Sequence, residues 1–600
     1  MRVTEQLQAS DPSGRGEEPG RSSAFELPGV VALAGLAVVA TGLVRAAAVP
    51  PGRVTVLVLA TGLAMMAFGA GLAARRARQE GLPLTELPQL LARPWLRPRR
   101  PAFMFVFGVL LALPVAALHS KVVTGVDADS ANLTMMIGVV QREGLSFLVD
   151  TQANFLPFIL LGPFVAVGGI GGAMLFSILS VQFLAGTMAY VTWSFSRSWL
   201  AAAAAVLGSL AFQGILERAT RLPMYAPMLA FGILGVYLAY RAVQSEGRRR
   251  WIAAGLAGLC LNLSIESQTV GQLLVPMPFL LVLTTRPRAA IQGLVRVYAA
   301  FALFYIPRAV VNLMEGGFSH FLGNRVDFWI TKGYLSTIQH EFFGYPSRLP
   351  LPGYLREFGG DALTIVNGLV LFVVVLAILS LVLSSGRLRW AGLLAVAFVV
   401  GAIVYQRAPA FSRYLSPLMI AAALGAGGGV TVLGRLRARW WRVGAIASVV
   451  VLVFGVASNL VSNARYVRIK EGELLSGPLP RLARIADDGR GLIGARSSHL
   501  GFVDADIPRY AGSVLSEREY VTFLTWPSDQ DVIGVLRGRD IGWVLINPDQ
   551  SLELAYNDTW LLPAYGTIAR HVSRIEASPG FCRAGALEGY LLYRLGPCPA

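Results

Sequence analysis

Long apolar runs separated by short arginine-rich loops recur between residues 28 and 463, and they leave this chain few folds to choose from. A bilayer core admits only backbones that satisfy their own hydrogen bonds, and about 20 apolar residues do so as a helix. About thirteen such runs fit that length. They lie at 28–48, 54–74, 102–120, 173–195, 199–216, 223–241, 251–268, 270–285, 292–312, 362–384, 389–406, 413–433 and 443–463. Charged residues make up 14% of the chain, against about 25% in soluble domains. The reading is a polytopic α-helical membrane protein.

The net charge of +17 invites a nucleic-acid reading, which the placement of the arginines excludes. They gather in short loops, at Arg75 to Arg100, Arg248 to Arg250, Arg286 to Arg288, Arg387 to Arg389 and Arg435 to Arg442. Inner loops of membrane proteins carry this excess. With an odd number of spans and a cytosolic N-terminus, all five segments fall inside. Residues 1–24, polar and rich in Gly, Ser, Pro, Glu and Arg, read as a disordered cytosolic tail with no cleavable leader. Residues 25–463 form the transmembrane domain. Three segments then lie outside: 121–172, 313–361 and 464–600. The last has Gly491–Ala495, Trp543–Ile546 and Tyr590–Leu595 as strands and Asp529–Arg537 as a helix, which makes it an extracytoplasmic α/β domain.

The first outer segment holds the most chemistry. Asp127 and Asp129 stand directly after a span, where carboxylates are costly and mark function by default. Leu133, Met136, Ile137 and Val140 then recur at helical spacing up to Gly144, as in a helix lying in the interface. A second apolar stretch, Phe155 to Gly168, is short and carries Pro157 and Pro163, and it reads as interfacial or re-entrant. An aspartate here can act as a general base or hold a metal ion. The structural alternative is that Asp129 or Ser130 caps the interfacial helix.

This succession resembles the GT-C superfamily of membrane glycosyltransferases. The elements are Asp129-Ser130-Ala131, the helix ending at Gly144, and Asn154-Phe155-Leu156-Pro157 running on to Gly168. Arg413-Tyr414-Leu415-Ser416-Pro417, at the start of a late span, is similar to a segment of protein O-mannosyltransferases and aminoarabinose transferases. Ser130 follows Asp129 where many relatives have glutamate, and Leu133 stands where a tyrosine is frequent. The resemblance implies an inverting transfer of a sugar from a polyprenyl-phosphate donor to a glycan, lipid or protein acceptor at the extracytoplasmic face. It makes Asp129 the base, with Asp127 its partner or the ligand of a divalent cation, Mg or Mn.

Basic residues on the outer side supply the counterpart. Arg218, Arg221, Arg308, Arg325, Arg407 and Arg413 fall at or near the outer face, where few are expected. Guanidinium forks suit phosphate oxygens. Arg413, with Tyr414 beside it, is the favoured contact for the carrier phosphate, and any one of the others can equally anchor a helix end at the headgroups. Glu266, in a polar interruption of an apolar pair of runs, pairs with an arginine or holds a sugar hydroxyl. His320, His340, Asp327 and Glu341 read as solvated loop residues, and Gly425 to Gly429 as close helix packing. Of the three cysteines, Cys260 reads as a core residue, while Cys582 and Cys598 are expected to form a disulfide outside the cell. The alternatives to an enzyme are a transporter or flippase, which would place its charges deep in the bilayer, and a non-catalytic envelope scaffold, which would leave the acidic pair idle. Membrane lipids are the expected surroundings, with nucleic acid excluded as a partner.

Overall fold

Small residues decide how closely the helices of this protein approach one another. The structure, a computed structural model, describes residues 26–48, 53–87, 91, 101–119, 155–212, 215–216, 224–283, 287–316, 368–383, 393, 412–436, 439–486, 490–494, 522–523, 526–548 and 568–597. Helices α1 (Glu26–Ala48) and α2 (Arg53–Gln79) pack as a hairpin. A Cβ on Gly35 would lie 2.6 Å from the Met66 amide nitrogen, and one on Gly69 would lie 2.8 Å from that of Ala32. Only hydrogen fits there, so the two backbones touch, the packing that glycine permits in a bilayer.

Helix α3 (Pro101–Ala112) passes directly into a 3-10 turn, Leu113–Leu118. Pro114 lies at its start and has no amide hydrogen, so the α-helical bonding pattern cannot continue through it. Helix α4 (Phe155–Ser196) breaks at Gly169, where φ is 52° and ψ is −133°. That backbone conformation suits only glycine. The break makes Leu156–Gly169 a short apolar arm separate from the span Gly171–Ser196. The chain reverses closely enough that Gly172 packs on the Phe164 carbonyl, and the Phe164 and Phe176 rings meet edge-on at 5.4 Å.

The centre of the bundle is α5 (Trp199–Ala211), buried on every side from Ala201 onward. Around it stand α6 (Tyr225–Gln244), α7 (Gly247–Ser267), α8 (Pro287–Gly316), α9 (Gly368–Leu383), α10 (Ser412–Arg435) and α11 (Arg439–Ser476). Among the described residues, seven helices are long and apolar enough to cross a membrane: α1, α2, α3 with its 3-10 turn, the second part of α4, α6, α8 and α11. The arm Leu156–Gly169 and helices α5, α9 and α10 are shorter and apolar. The sequence-based run 389–406 lies outside the described residues.

One expected span takes a different form. Residues 270–285 do not make an α-helix; they form two 3-10 segments, Thr269–Leu274 and Met277–Leu283. Pro276 and Pro278 withhold two amide hydrogens in close succession. A 3-10 coil rises about 2.0 Å per residue against about 1.5 Å in an α-helix, so fewer residues make the return path. It is held by the Tyr298 hydroxyl, which donates to the Val275 carbonyl at 2.6 Å, and by stacking of Phe279 on Tyr298 at 4.8 Å. The return path lets α7 and α8 run parallel.

Helix directions sort the charges. Arg75, Arg76 and Arg78 end α2, Arg248 to Arg250 begin α7, Arg288 begins α8, and Arg435 and Arg439 flank the α10–α11 turn. Arg435 donates to the Ser196 carbonyl at 3.0 Å, which brings the ends of α4 and α10 together. These residues mark a basic end of the bundle. The opposite end holds His119, the last turn of α7, the last turns of α8 and the start of α10.

Beyond α11 the chain forms α12 (Leu479–Ile485), β1 (Gly491–Gly494), α13 (Asp529–Gly538), β2 (Ile541–Ile546), α14 (Ile568–Ala577), β3 (Phe581–Leu587) and β4 (Tyr590–Leu595). The sheet order is β1-β2-β4-β3, with β1 and β2 parallel and the other pairs antiparallel. Strand β2 is buried throughout, and its core has Leu492, Val532, Leu536, Leu592 and Tyr593 around it. Ser528 caps α13 by accepting from the Asp531 amide at 3.1 Å. Cys582 on β3 is disulfide-bonded, and Cys260 is a free, buried thiol.

His571 on α14 is buried against Phe523 and Trp526, with ring centroids 5.0 and 5.2 Å away. Burial first, and the Arg574 charge second, push its pKa down to about 3. In the unfolded chain an imidazole titrates near about 6.5. As pH falls the unfolded state therefore takes the proton first. The stability contributed by neutral His571 is complete above about pH 6.5 and is lost toward about pH 3, at up to about 1.4 kcal/mol per pH unit. Tryptophan-monitored melting is expected to show a transition of this domain that drops between pH 7 and pH 5, and His571→Phe is expected to flatten that dependence. A wild-type transition that stays level with pH would contradict it.

Candidate functional site

The end of the bundle opposite the arginine loops collects polar groups from several helices. Glu266 sits on the last turn of α7, and Tyr305 and Arg308 lie one turn apart on α8. Gly258 brings these two helices together, since a Cβ there would come within 2.8 Å of Ala300. Moving an equal distance along each parallel helix from that contact reaches Glu266 on one and Arg308 on the other. Both charges stand within electrostatic reach of the Tyr305 hydroxyl. All three residues are half-buried, and one carboxylate oxygen of Glu266 is fully buried. The Phe301 ring stacks beneath Tyr305 at 6.1 Å.

One turn deeper on α7, on the same side as Glu266, Asn262 is buried, and its Nδ2 finds no hydrogen-bond partner among the described residues. Such a group costs about 1–3 kcal/mol when left unsatisfied. Its neighbour Ser264 donates to the Met228 carbonyl at 2.8 Å and so ties α7 to α6. At the same end of the bundle, His119 Nε2 lies 3.1 Å from Ser177 Oγ, and both residues are buried.

Helix α10 begins at Ser412, so the backbone of Arg413 and Tyr414 is helical and starts from this same end. Glu266 and Arg308, each noticed separately in the sequence, come to the same end of the bundle, from which α10 also starts. Asp127, Asp129, Arg218, Arg221, Arg407 and Cys598 lie outside the described residues, as do Arg325, His320 and His340. Tyr305 and His119 were not anticipated. Tyr305 carried a signal, its one-turn offset from Arg308. His119 carried a weaker one, a polar residue closing an apolar run just ahead of the acidic pair.

The helices and the polar groups gathered at this end define an integral membrane protein with a small C-terminal α/β domain. The solved structure of ArnT from Cupriavidus metallidurans bound to undecaprenyl phosphate is similar to it, with a TM-score of 0.52 at 12% identity, over 82% of this chain and 97% of that one. The archaeal oligosaccharyltransferase AglB from Archaeoglobus fulgidus, in complex with an inhibitory peptide and a dolichol-phosphate, matches at a TM-score of 0.46 and 11% identity, over 76% of this chain and 71% of that one. The arabinofuranosyltransferase AftD from Mycobacteria matches at 0.46 and 13% identity, over 83% and 40%. The fold comparison rests on the first of these. No protein-family model matches the chain, and no curated protein matches it in sequence.

Proposed function

We propose that this protein is a glycosyltransferase that moves a sugar from a polyprenyl-phosphate carrier to an acceptor at the extracytoplasmic face of the membrane. The observation that carries this reading is the meeting of Glu266, Tyr305 and Arg308 at the end of the bundle away from the basic loops, on a fold shared with a protein solved with undecaprenyl phosphate. A transporter would be expected to hold its charges near the bilayer centre, whereas Glu266 stands on the last turn of α7 and Arg308 near the end of the apolar span Arg288–Val310.

In the proposed reaction Asp129 takes the proton of an acceptor hydroxyl, whose oxygen attacks the anomeric carbon of the donor. The bond from that carbon to the phosphate oxygen breaks, and polyprenyl phosphate leaves with its electron pair. Attack opposite the leaving group inverts the anomeric centre. Arg308 and Arg413 offset the negative charge gathering on the phosphate. Glu266 holds Arg308 in place or accepts a sugar hydroxyl, and Arg218, Arg221, Arg407 and Tyr414 are further candidate contacts. Asp127 supports Asp129 or holds a divalent cation. Among the described residues no three His, Cys, Asp or Glu side chains converge. Purified protein incubated with a panel of polyprenyl-phosphate sugars is expected to release free carrier phosphate from one of them. Movement of an intact carrier across vesicles without release would support the flippase instead.

The orientation has its own test. With the arginine loops inside, Ala577→Cys on α14 is expected to react with a membrane-impermeant thiol reagent in intact cells, and Glu246→Cys is not. Non-reducing peptide mapping of the same protein is expected to pair Cys582 with Cys598. Labelling at position 246 alone would invert the topology and place the C-terminal domain in the cytosol.

A further inference from the structure

Arg296 lies inside the apolar span Arg288–Val310 of α8, about 12 Å along the axis from its start. A charge within a span is costly unless something offsets it. The guanidinium reaches back toward the basic end of the bundle. There its Nη1 donates to the Gln292 carbonyl at 3.0 Å, and its Cζ stands 4.7 Å from the centre of the Trp251 ring on α7. Gln292 takes one of five N–H donors, and the indole attracts the cation without offering an acceptor oxygen. Trp251 is 62% exposed and Arg296 is half-buried, so this pair lies on the outer surface of the bundle.

Two further arginines join it. Arg248 precedes Trp251 by one turn on the same side of α7, and Arg288, Gln292 and Arg296 follow one another along one side of α8. Counting back from the contact of Gly258 with Ala300 brings Arg248 and Arg288 to nearly the same level, and both are exposed. Among the described residues no carboxylate pairs with any of the three, and Glu246, the nearest in sequence to α7, is exposed. The surface deeper in the span is apolar and small. One turn below Trp251, a Cβ on Gly255 would meet nothing within 4 Å, and one turn below Arg296 stands the exposed Ala299.

We propose that the basic end of the α7–α8 seam binds an anionic phospholipid. Arg248, Arg288 and Arg296 hold the phosphate, Trp251 backs the headgroup, and an acyl chain lies along Gly255 and Ala299. Basic pockets between membrane helices take anionic headgroups in this way. A zwitterionic headgroup would bring an ammonium against the same uncompensated positive charge. The site stands at the end of the bundle away from Glu266 and Arg308 and does not depend on the transfer reaction.

The test titrates full-length protein in detergent with phosphatidylglycerol or phosphatidylcholine and counts retained lipid by native mass spectrometry. Wild type is expected to retain one phosphatidylglycerol at concentrations where phosphatidylcholine is lost. Arg296→Gln is expected to raise the apparent Kd for phosphatidylglycerol by about 10-fold, and Arg248→Gln and Trp251→Leu by less, with the lipid-free melting temperature unchanged. Arg76→Gln removes an exposed charge from the last turn of α2, at the same end of the bundle, and is expected to change nothing. Equal losses in Arg76→Gln and Arg296→Gln, or equal retention of the two lipids, overturn the proposal and leave only the general attraction of a basic face. Tighter retention of undecaprenyl phosphate than of phosphatidylglycerol, lost in Arg296→Gln, overturns it in favour of the carrier. If Arg296→Gln does not fold, the exposed Arg248→Gln decides, and an unchanged Kd there overturns the site.

Discussion

Replacing Asp129 by asparagine is expected to lower transfer by about 10²- to 10⁴-fold, the usual contribution of a general base. The substitution keeps the size and a hydrogen-bonding capacity of the side chain while removing its ability to take a proton. Donor binding is expected to survive, because the proposed reaction assigns the donor phosphate to Arg308 and Arg413. The measurement is kcat alongside donor affinity by direct binding, with Asp127→Asn in parallel. If Asp127→Asn shows the larger loss, the two aspartates exchange roles. If both variants retain full activity, the acidic pair has no part in the chemistry.

Arg308→Ala should act on the other side of the reaction. A charge-assisted hydrogen bond to phosphate is worth about 1.5–3 kcal/mol, so donor KM is expected to rise by about 10- to 100-fold. Arg308→Lys should recover only part of that, because an ammonium lacks the planar fork that matches phosphate oxygens. Arg413→Ala, at the start of α10, is expected to weaken donor binding in the same sense and to lower turnover too. An Arg308→Ala enzyme with unchanged donor KM but a lower melting temperature would mark Arg308 as a helix anchor at the headgroups.

Much of the fold was legible in the sequence because membrane spans are written locally. The run 223–241 becomes Tyr225–Gln244 and the run 54–74 becomes Arg53–Gln79, each set by apolar length and ended by polar or basic residues. Gly168-Gly169 with Pro163 correctly marked a short arm, and Gly169 is where the chain turns. The C-terminal strands Gly491–Gly494, Ile541–Ile546 and Tyr590–Leu595 were visible as apolar clusters. Strand β3 was not, because Cys582 is its one buried residue and it includes Arg583 and three small residues, Ala584, Gly585 and Ala586. Its place comes from pairing with β4, a contact that composition does not announce.

The 270–285 segment shows where local reading stops. Its hydropathy suits a span, but Pro276 and Pro278 convert it into 3-10 coil. The same holds for the polar end of the bundle. Glu266 and Arg308 were each noticed singly, yet nothing in the sequence joins them; Gly258, far from both, allows the close approach of α7 and α8 that does so. Tyr305 gains significance only through standing within electrostatic reach of both charges.

The sequence by itself determined that this protein lives in a membrane, and which loops are basic, because hydropathy and charge count are properties of short stretches. Only the tertiary structure decided which polar residues share a location. Within a bilayer no hydrophobic force sorts one helix face from another, so partners are chosen by close packing of small residues and by buried hydrogen bonds. Those are pairings between distant parts of the chain, such as Gly258 with Ala300 and His119 with Ser177.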